Sequence, residues 1–304
     1  MIPSNDPILN KIINEMQQAY AIRKQIIQQI EEEMGVNLVV YLSNPTHPFA
    51  IISRQDIIPL EDILRSLPKN DKPVALLINS PGGDPNAAEK ILIMFRSRFK
   101  EFYVIVPDYA KSAATMIALG SDKIYMGHLS ELGPIDPQIE FTLPNSRKEI
   151  IPARSFIESL EYIKERVSEK GDPIEIYMPM LTNLRPELID ICQKSIEDAK
   201  TFAVKWLKSY MLKDNPDQAE KVAGELTKGD RYKSHGKVID FKEAKEYLNL
   251  NVEYLKPESP LWNKIWELYV RGVQFLQATN QVKLYENSTI SLALQVSVQK
   301  AQTR

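Results

Sequence analysis

One cysteine, Cys192, is all the chain carries in 304 residues, so an internal disulfide and any zinc site built from several thiolates are excluded. Long apolar runs are missing too. No stretch approaches the roughly 20 apolar residues that a bilayer-spanning helix needs, and no integral membrane segment is expected. The opening MIPSNDPILNKIINEM lacks a basic segment followed by an apolar one, so no secretory leader is expected and the cytoplasm is the expected compartment. Excess positive charge is also absent: a formal net charge of −2 and a pI near 6.1 argue against a nucleic-acid surface, and no nucleic-acid partner is expected. Neither G-x-G-x-x-G nor G-x-x-x-x-G-K-[ST] occurs, and H-E-x-x-H is missing, so no nucleotide, metal or other cofactor is expected. Glycine is scarce. Of eleven, only Gly82 and Gly83 are adjacent, which makes that pair informative.

What is present is an even mixture, 43% hydrophobic and 26% charged, as in an ordinary soluble globular protein with a sizeable core. Leu9, Ile13, Met16, Tyr20, Ile27, Ile30 and Met34 recur at steps of four and three, interrupted at Arg23. This spacing predicts an amphipathic helix over 1–35, packed on its own domain or against another subunit in a coiled-coil-like contact. Short β-rich runs follow, VNLVVYLS and FAIIS, joined by the turn-rich NPTHP. A helix near Ile57 to Leu67, the strand PVALLINS, the helix DPNAAEKILIMFRSRF, the strand EFYVIVP, the helix SAATMIALG and the strand DKIYMG then alternate. Strands separated by crossover helices predict an α/β fold with a mainly parallel sheet, whose sites gather at the carboxyl ends of strands.

Beyond about residue 150 the chain turns helical, in RSFIESLEYIKERVSEK and from Pro186 to about Leu212. The polar LKDNPDQ precedes an αβ-like piece, TKGDRYKSHGKVIDFKEAKEYLNLNV, and the aromatic LWNKIWELYVRGVQF. The expected division is an N-terminal helix over 1–35, a core over 36–212, a C-terminal αβ segment over 213–285 and a tail over 286–304.

Gly82 and Gly83 follow a strand and precede a helix, where they serve a tight turn or the close approach of a ligand to bare N–H groups. One βα unit later Ser112 stands at the start of a very apolar helix, with Ala113 and Ala114 behind it. A serine there has a structural use as N-cap. It also has a chemical one, because acyl transfer needs a hydroxyl to attack a carbonyl and preorganised N–H donors to hold the developing charge.

INSPGGDPNAAEKI followed by AKSAATMIALGSDKIYMGHLSELGPIDPQI resembles the superfamily shared by the Clp protease proteolytic subunit and signal peptide peptidase A, most of all the serine dehydrogenase proteinase family. The resemblance covers roughly 35–140, and SHGKVIDFKEAKEYLNLNV resembles that family's C-terminal histidine region. It implies a Clp/crotonase-like spiral of ββα units with added N- and C-terminal helices. It also implies a serine peptidase acting on peptide or protein substrates as a homo-oligomer, with Ser112 as nucleophile and Gly82, Gly83 and Ala113 around the oxyanion hole. The order Ser, Asp, His points to Asp136 of GPIDPQ and His235 of SHGKVID as the rest of a triad. The family often places an aspartate after its histidine. Here Gly236 stands there, and Asp240 is a substitute.

Only His47, His128 and His235 are available as imidazole bases. His47 reads as a turn residue and His128 ends a strand, while Asp136 between prolines can equally bond local backbone. Relatives with a Ser-Lys dyad leave Lys148 and Lys164 as other bases, and Lys111 adjoins the serine. Two further readings keep the fold: an acyl-CoA-processing enzyme, and a non-catalytic assembly module without a working base.

Overall fold

The computed structural model describes residues 8–142, 148–182, 184–228 and 231–295, with side chains from residue 18 onward except at 141, 142 and 228. The chain divides into two compact units, 1–132 with 239–304, and 133–238.

The first unit is built on a seven-stranded sheet. In chain order its elements are α1 (Ile8–Met34), β1 (Asn37–Ser43), α2 (Ile57–Arg65), β2 (Val74–Asn79), α3 (Pro85–Arg96), β3 (Phe102–Val106), β4 (Tyr109–Ala110), α4 (Ala113–Leu119), β5 (Lys123–Met126) and β6 (Glu131–Leu132). β1, β2, β3, β5 and a later strand run parallel, and two antiparallel strands extend the edge beyond β1. Every residue of β1 and β2 is buried, which is why NLVVYLS and VALLIN read as unbroken apolar runs: helices cover both faces of a parallel sheet.

FAIIS is no strand of its own; only Ile52 bridges, in parallel, to Gly83. Arg23, the interruption in the apolar series of α1, is 2% exposed and grips Glu286 with two nitrogens. Ile27 and Ile30 beside it are fully buried, each contributing about 2 kcal/mol. The apolar face of α1 is therefore consumed by its own core over this stretch. The side chains of Leu9, Ile13 and Met16 lie outside the described residues.

The second unit is made of a hairpin and helices: β7 (Gln138–Thr142), β8 (Lys148–Pro152), α5 (Ala153–Ser168), the single turn α6 (Met178–Leu181), α7 (Pro186–Ser209) and α8 (Pro216–Lys228). Ala219, Val222, Ala223 and Leu226 recur at helical spacing on α8 and are buried, as are Phe202, Ala203, Trp206 and Leu207 on α7, which packs against it. The boundary expected at 212–213 does not appear. α7 and α8 share one core, so the division falls at 132–133 and 238–239, where Leu132 and Ile239 of the first unit pair antiparallel by two hydrogen bonds of 2.9 and 3.1 Å.

After Ile239 come β9 (Val252–Tyr254), α9 (Pro260–Thr279), β10 (Lys283–Glu286) and β11 (Ser291–Leu294). α9 starts at Ser259, whose side chain accepts the Trp262 N–H, and buries Trp262, Ile265, Leu268, Tyr269, Val273 and Leu276 in the core. Its aromatic stripe is thus a core face. The expected tail begins as sheet, since β10 and β11 pair in register, and residues 296–304 lie outside the described residues. Among the described residues no helix is long and apolar enough to cross a membrane.

Candidate active site

The carboxyl ends of β2 and β3 lead into two loops that are stitched together. Ser80 N–H donates to Tyr109 O at 3.0 Å, Lys111 N–H to Ser80 O at 3.0 Å, and Tyr109 N–H to the buried Asn79 Oδ1 at 2.8 Å. These bonds set the Ser80–Pro81–Gly82–Gly83 turn beside Ser112. A Cβ on Gly82 would stand 2.7 Å from Ser112 Cβ and 3.1 Å from Ala113 N, and one on Gly83 would stand 2.3 Å from Ile52 O. Both glycines have positive φ, 98° and 147°. What comes too close for a side chain is the protein's own backbone on two sides.

Beyond the turn, Asp84 caps α3 by accepting the Asn86 N–H at 2.9 Å, with Pro85 in the first helical position.

Ser112 has φ 50° and ψ −117°, a conformation costly for any residue with a side chain. The N-cap explanation fails, because its hydroxyl makes no cap hydrogen bond. It is only partly buried, at the sharp turn from β4 into the fully buried α4. A strained serine on a strand-to-helix turn is the arrangement that exposes a nucleophilic hydroxyl. Among the described residues no hydrogen bond engages the N–H of Gly83 or of Ala113. Gly82 differs from the expectation that all three surround an oxyanion: its N–H donates to Ser80 Oγ at 3.2 Å, which leaves it a steric role. The arrangement can present a hydroxyl and two amide donors to a carbonyl.

In the second unit, Asp136 and His235 meet although they are 99 residues apart: Asp136 Oδ1 lies 2.8 Å from His235 Nδ1. The carboxylate is 9% exposed and its other oxygen accepts from Gln138 Nε2 at 2.9 Å. Its segment is pinned on both sides, by Ile135 N–H to Leu226 O and by Ala153 N–H to Pro137 O, each 2.9 Å. His235 rides a turn closed by Lys237 N–H to Ser234 O and is 29% exposed. An imidazole bonded through Nδ1 to a carboxylate has its tautomer set, with Nε2 left to take a proton. Gln138 was not singled out in the sequence; its place two residues after Asp136 was the available signal.

The other bases are occupied or solvated. His47 is in a turn, where its Nδ1 accepts the Phe49 N–H. His128 is exposed and lies edge-on to Trp262. Asp240 accepts the Glu243 N–H at the start of the next helical turn, and the carboxylate bonded to His235 is Asp136. Lys148 is 67% exposed and paired with Glu140, Lys164 is exposed on α5, and Lys111 Nζ is held by Leu132 O and Glu131, both at 3.1 Å. A lysine acting as base needs a desolvated pocket, whereas Lys148 and Lys164 stand in solvent. Among the described residues no group of three His, Cys, Asp or Glu side chains is arranged to hold a metal ion.

Residues 8–287 match the family model described as ClpP-like SDH-type serine proteinase. The chain belongs to this family. Two uncharacterized proteins of Methanocaldococcus jannaschii are related. MJ0137 is 34% identical over 70% of this chain and 65% of its own length, and MJ1495 is 30% identical over 72% and 68%. The chain thus spans slightly less than two thirds of the first of these relatives. Solved structures give more distant likenesses. A mutant of the 1510-N membrane-bound stomatin-specific protease is 17% identical with a TM-score of 0.41, covering 70% of this chain and 79% of that one. A ClpP1 mutant from Listeria monocytogenes is 13% identical with a TM-score of 0.40, covering 76% and 98%. In this member of the family the sheet unit carries the serine and the glycine turn, and the helical unit carries the aspartate–histidine pair.

Proposed function

We propose that this protein hydrolyses peptide bonds through an acyl-enzyme on Ser112, with His235 as general base and Asp136 as the group that orients it. The observation that carries the reading is the backbone of Ser112, held at positive φ with its hydroxyl unused by the helix it precedes. The 2.8 Å bond between Asp136 and His235 supports the choice of base, and family membership supports the reaction class.

In this reading His235 Nε2 takes the proton from Ser112 Oγ as that oxygen attacks the scissile carbonyl carbon. The carbonyl π electrons move onto oxygen, which the N–H groups of Gly83 and Ala113 receive. The imidazolium, stabilised by Asp136, gives its proton to the leaving amine as the C–N bond breaks. Water then attacks the ester, passes its proton to His235 and releases the acid, and Ser112 regains its proton. A homo-oligomer in the cytoplasm acting on peptides or proteins is the setting proposed for this chemistry.

Labelling with a fluorophosphonate tests it. Ser112 is expected to be the modified residue, and Ser112→Ala to lose casein hydrolysis by about a millionfold in kcat. An unlabelled Ser112, together with a Ser112→Ala protein that cleaves casein like the wild type, sinks the proposal.

A further inference from the structure

A buried polar cluster in the sheet unit takes no part in the chemistry above. Asp56 is 0% exposed and Lys283 1%, in a position 227 residues along the chain. Lys283 Nζ and the Tyr285 hydroxyl each donate to Asp56 Oδ1 at 2.5 Å. The Tyr41 hydroxyl donates to Oδ2 at 3.1 Å and the Ser53 N–H to the same oxygen at 2.7 Å. Four donors on two oxygens leave the carboxylate no freedom to turn. A buried ion pair is often no more stabilising than apolar residues of the same size, so its geometry asks for another explanation.

The Ser53 N–H supplies one. Ser53 directly follows Ile52, whose N–H donates to Gly82 O at 2.7 Å and whose carbonyl accepts the Asp84 N–H at 2.9 Å. Ile52 therefore clasps Gly83 from the residues on either side of it. There is no slack in the clasp, since a single added Cβ on Gly83 would meet Ile52 O at 2.3 Å. A shift of Ser53 passes through Ile52 to the direction of the Gly83 N–H.

We infer that Asp56, clamped by Lys283, Tyr41 and Tyr285, is the positioning residue that sets the Gly83 N–H for the oxyanion, acting through Ser53 and Ile52. The inference rests on the serine-peptidase reading. Burial raises the pKa of both phenols well above the ordinary tyrosine value, so both stay protonated as donors to Asp56.

The test uses the full chain with Asp56→Asn/Lys283→Met, which removes both charges together, and Tyr41→Phe, which keeps them and deletes one donor. Turnover of a model peptide, affinity for a peptide boronate that forms a tetrahedral adduct on Ser112, and binding of the uncleaved peptide in a Ser112→Ala background are measured. The double variant is expected to lose about 30-fold in kcat with KM nearly unchanged, and boronate affinity by a similar factor. Tyr41→Phe is expected to lose about threefold in both, and it decides the matter if the double variant does not fold. Wild-type kcat and boronate affinity in the folded variants overturn the inference, as does a loss of uncleaved-peptide binding as large as the loss of kcat. A wild-type protein that forms no boronate adduct on Ser112 overturns the peptidase reading, and this inference with it.

Discussion

The two regions that carry the candidate residues are built by different means. Around Ser112 the geometry is made of backbone: paired loops at strand ends, two glycines pressed against neighbouring main chain, and a serine whose φ is imposed by the turn. Around His235 it is made of side chains, one carboxylate against one imidazole and one amide against that carboxylate. Backbone geometry answers to side chains only where these hold main chain, as Asn79 holds Tyr109 and Asp56 holds Ser53. Side-chain geometry can be undone one hydrogen bond at a time, which makes the second region the more graded target.

The sharpest way to break this contrast is Asp136→Asn. An asparagine keeps the shape, but with its carbonyl held by Gln138 Nε2 it turns its NH2 to His235 Nδ1 and sets the wrong tautomer, and kcat for peptide hydrolysis is expected to fall about ten-thousandfold while thermal unfolding changes little. A loss below tenfold says that the pair is only structural. Next in size is Gly83→Ala. Its Cβ would stand 2.3 Å from Ile52 O and displace the turn, so a loss of about 100- to 1,000-fold in kcat is expected, the usual effect of losing one oxyanion donor. Unchanged turnover there removes the turn from the reaction. The smallest effect is expected for Gln138→Met, which deletes the bond to Asp136 Oδ2 and should lower kcat/KM about fivefold. If Gln138→Met costs as much as Asp136→Asn, the carboxylate is held mainly by the amide, and the contrast drawn here shifts onto Gln138.

Local pattern carried much of the fold. Runs such as NLVVYLS and VALLIN are apolar throughout because both faces of a parallel strand are covered, and that needs no knowledge of the partner strand. The same rule misled at FAIIS, where a short apolar run bridges only at Ile52. The hairpin β7–β8 is not legible because KEIIP has no polar–apolar alternation in its sequence and none of its residues is fully buried. Arg23 interrupts the apolar seam of its helix because Glu286, 263 residues away along the chain, lies beside it.

The sequence by itself determined the alternating strands and helices, the scarcity of bases, and the presence of a serine and paired glycines on successive βα turns, because each is written in neighbouring residues. Only the tertiary structure decided that Gly82 turns its N–H to Ser80, that Asp136 and not Asp240 holds His235, and that Asp56 is clamped by Lys283. The reason is physical: hydrogen bonds between residues 99 and 227 positions apart arise from how packed elements bring distant chain together, and no local periodicity records them.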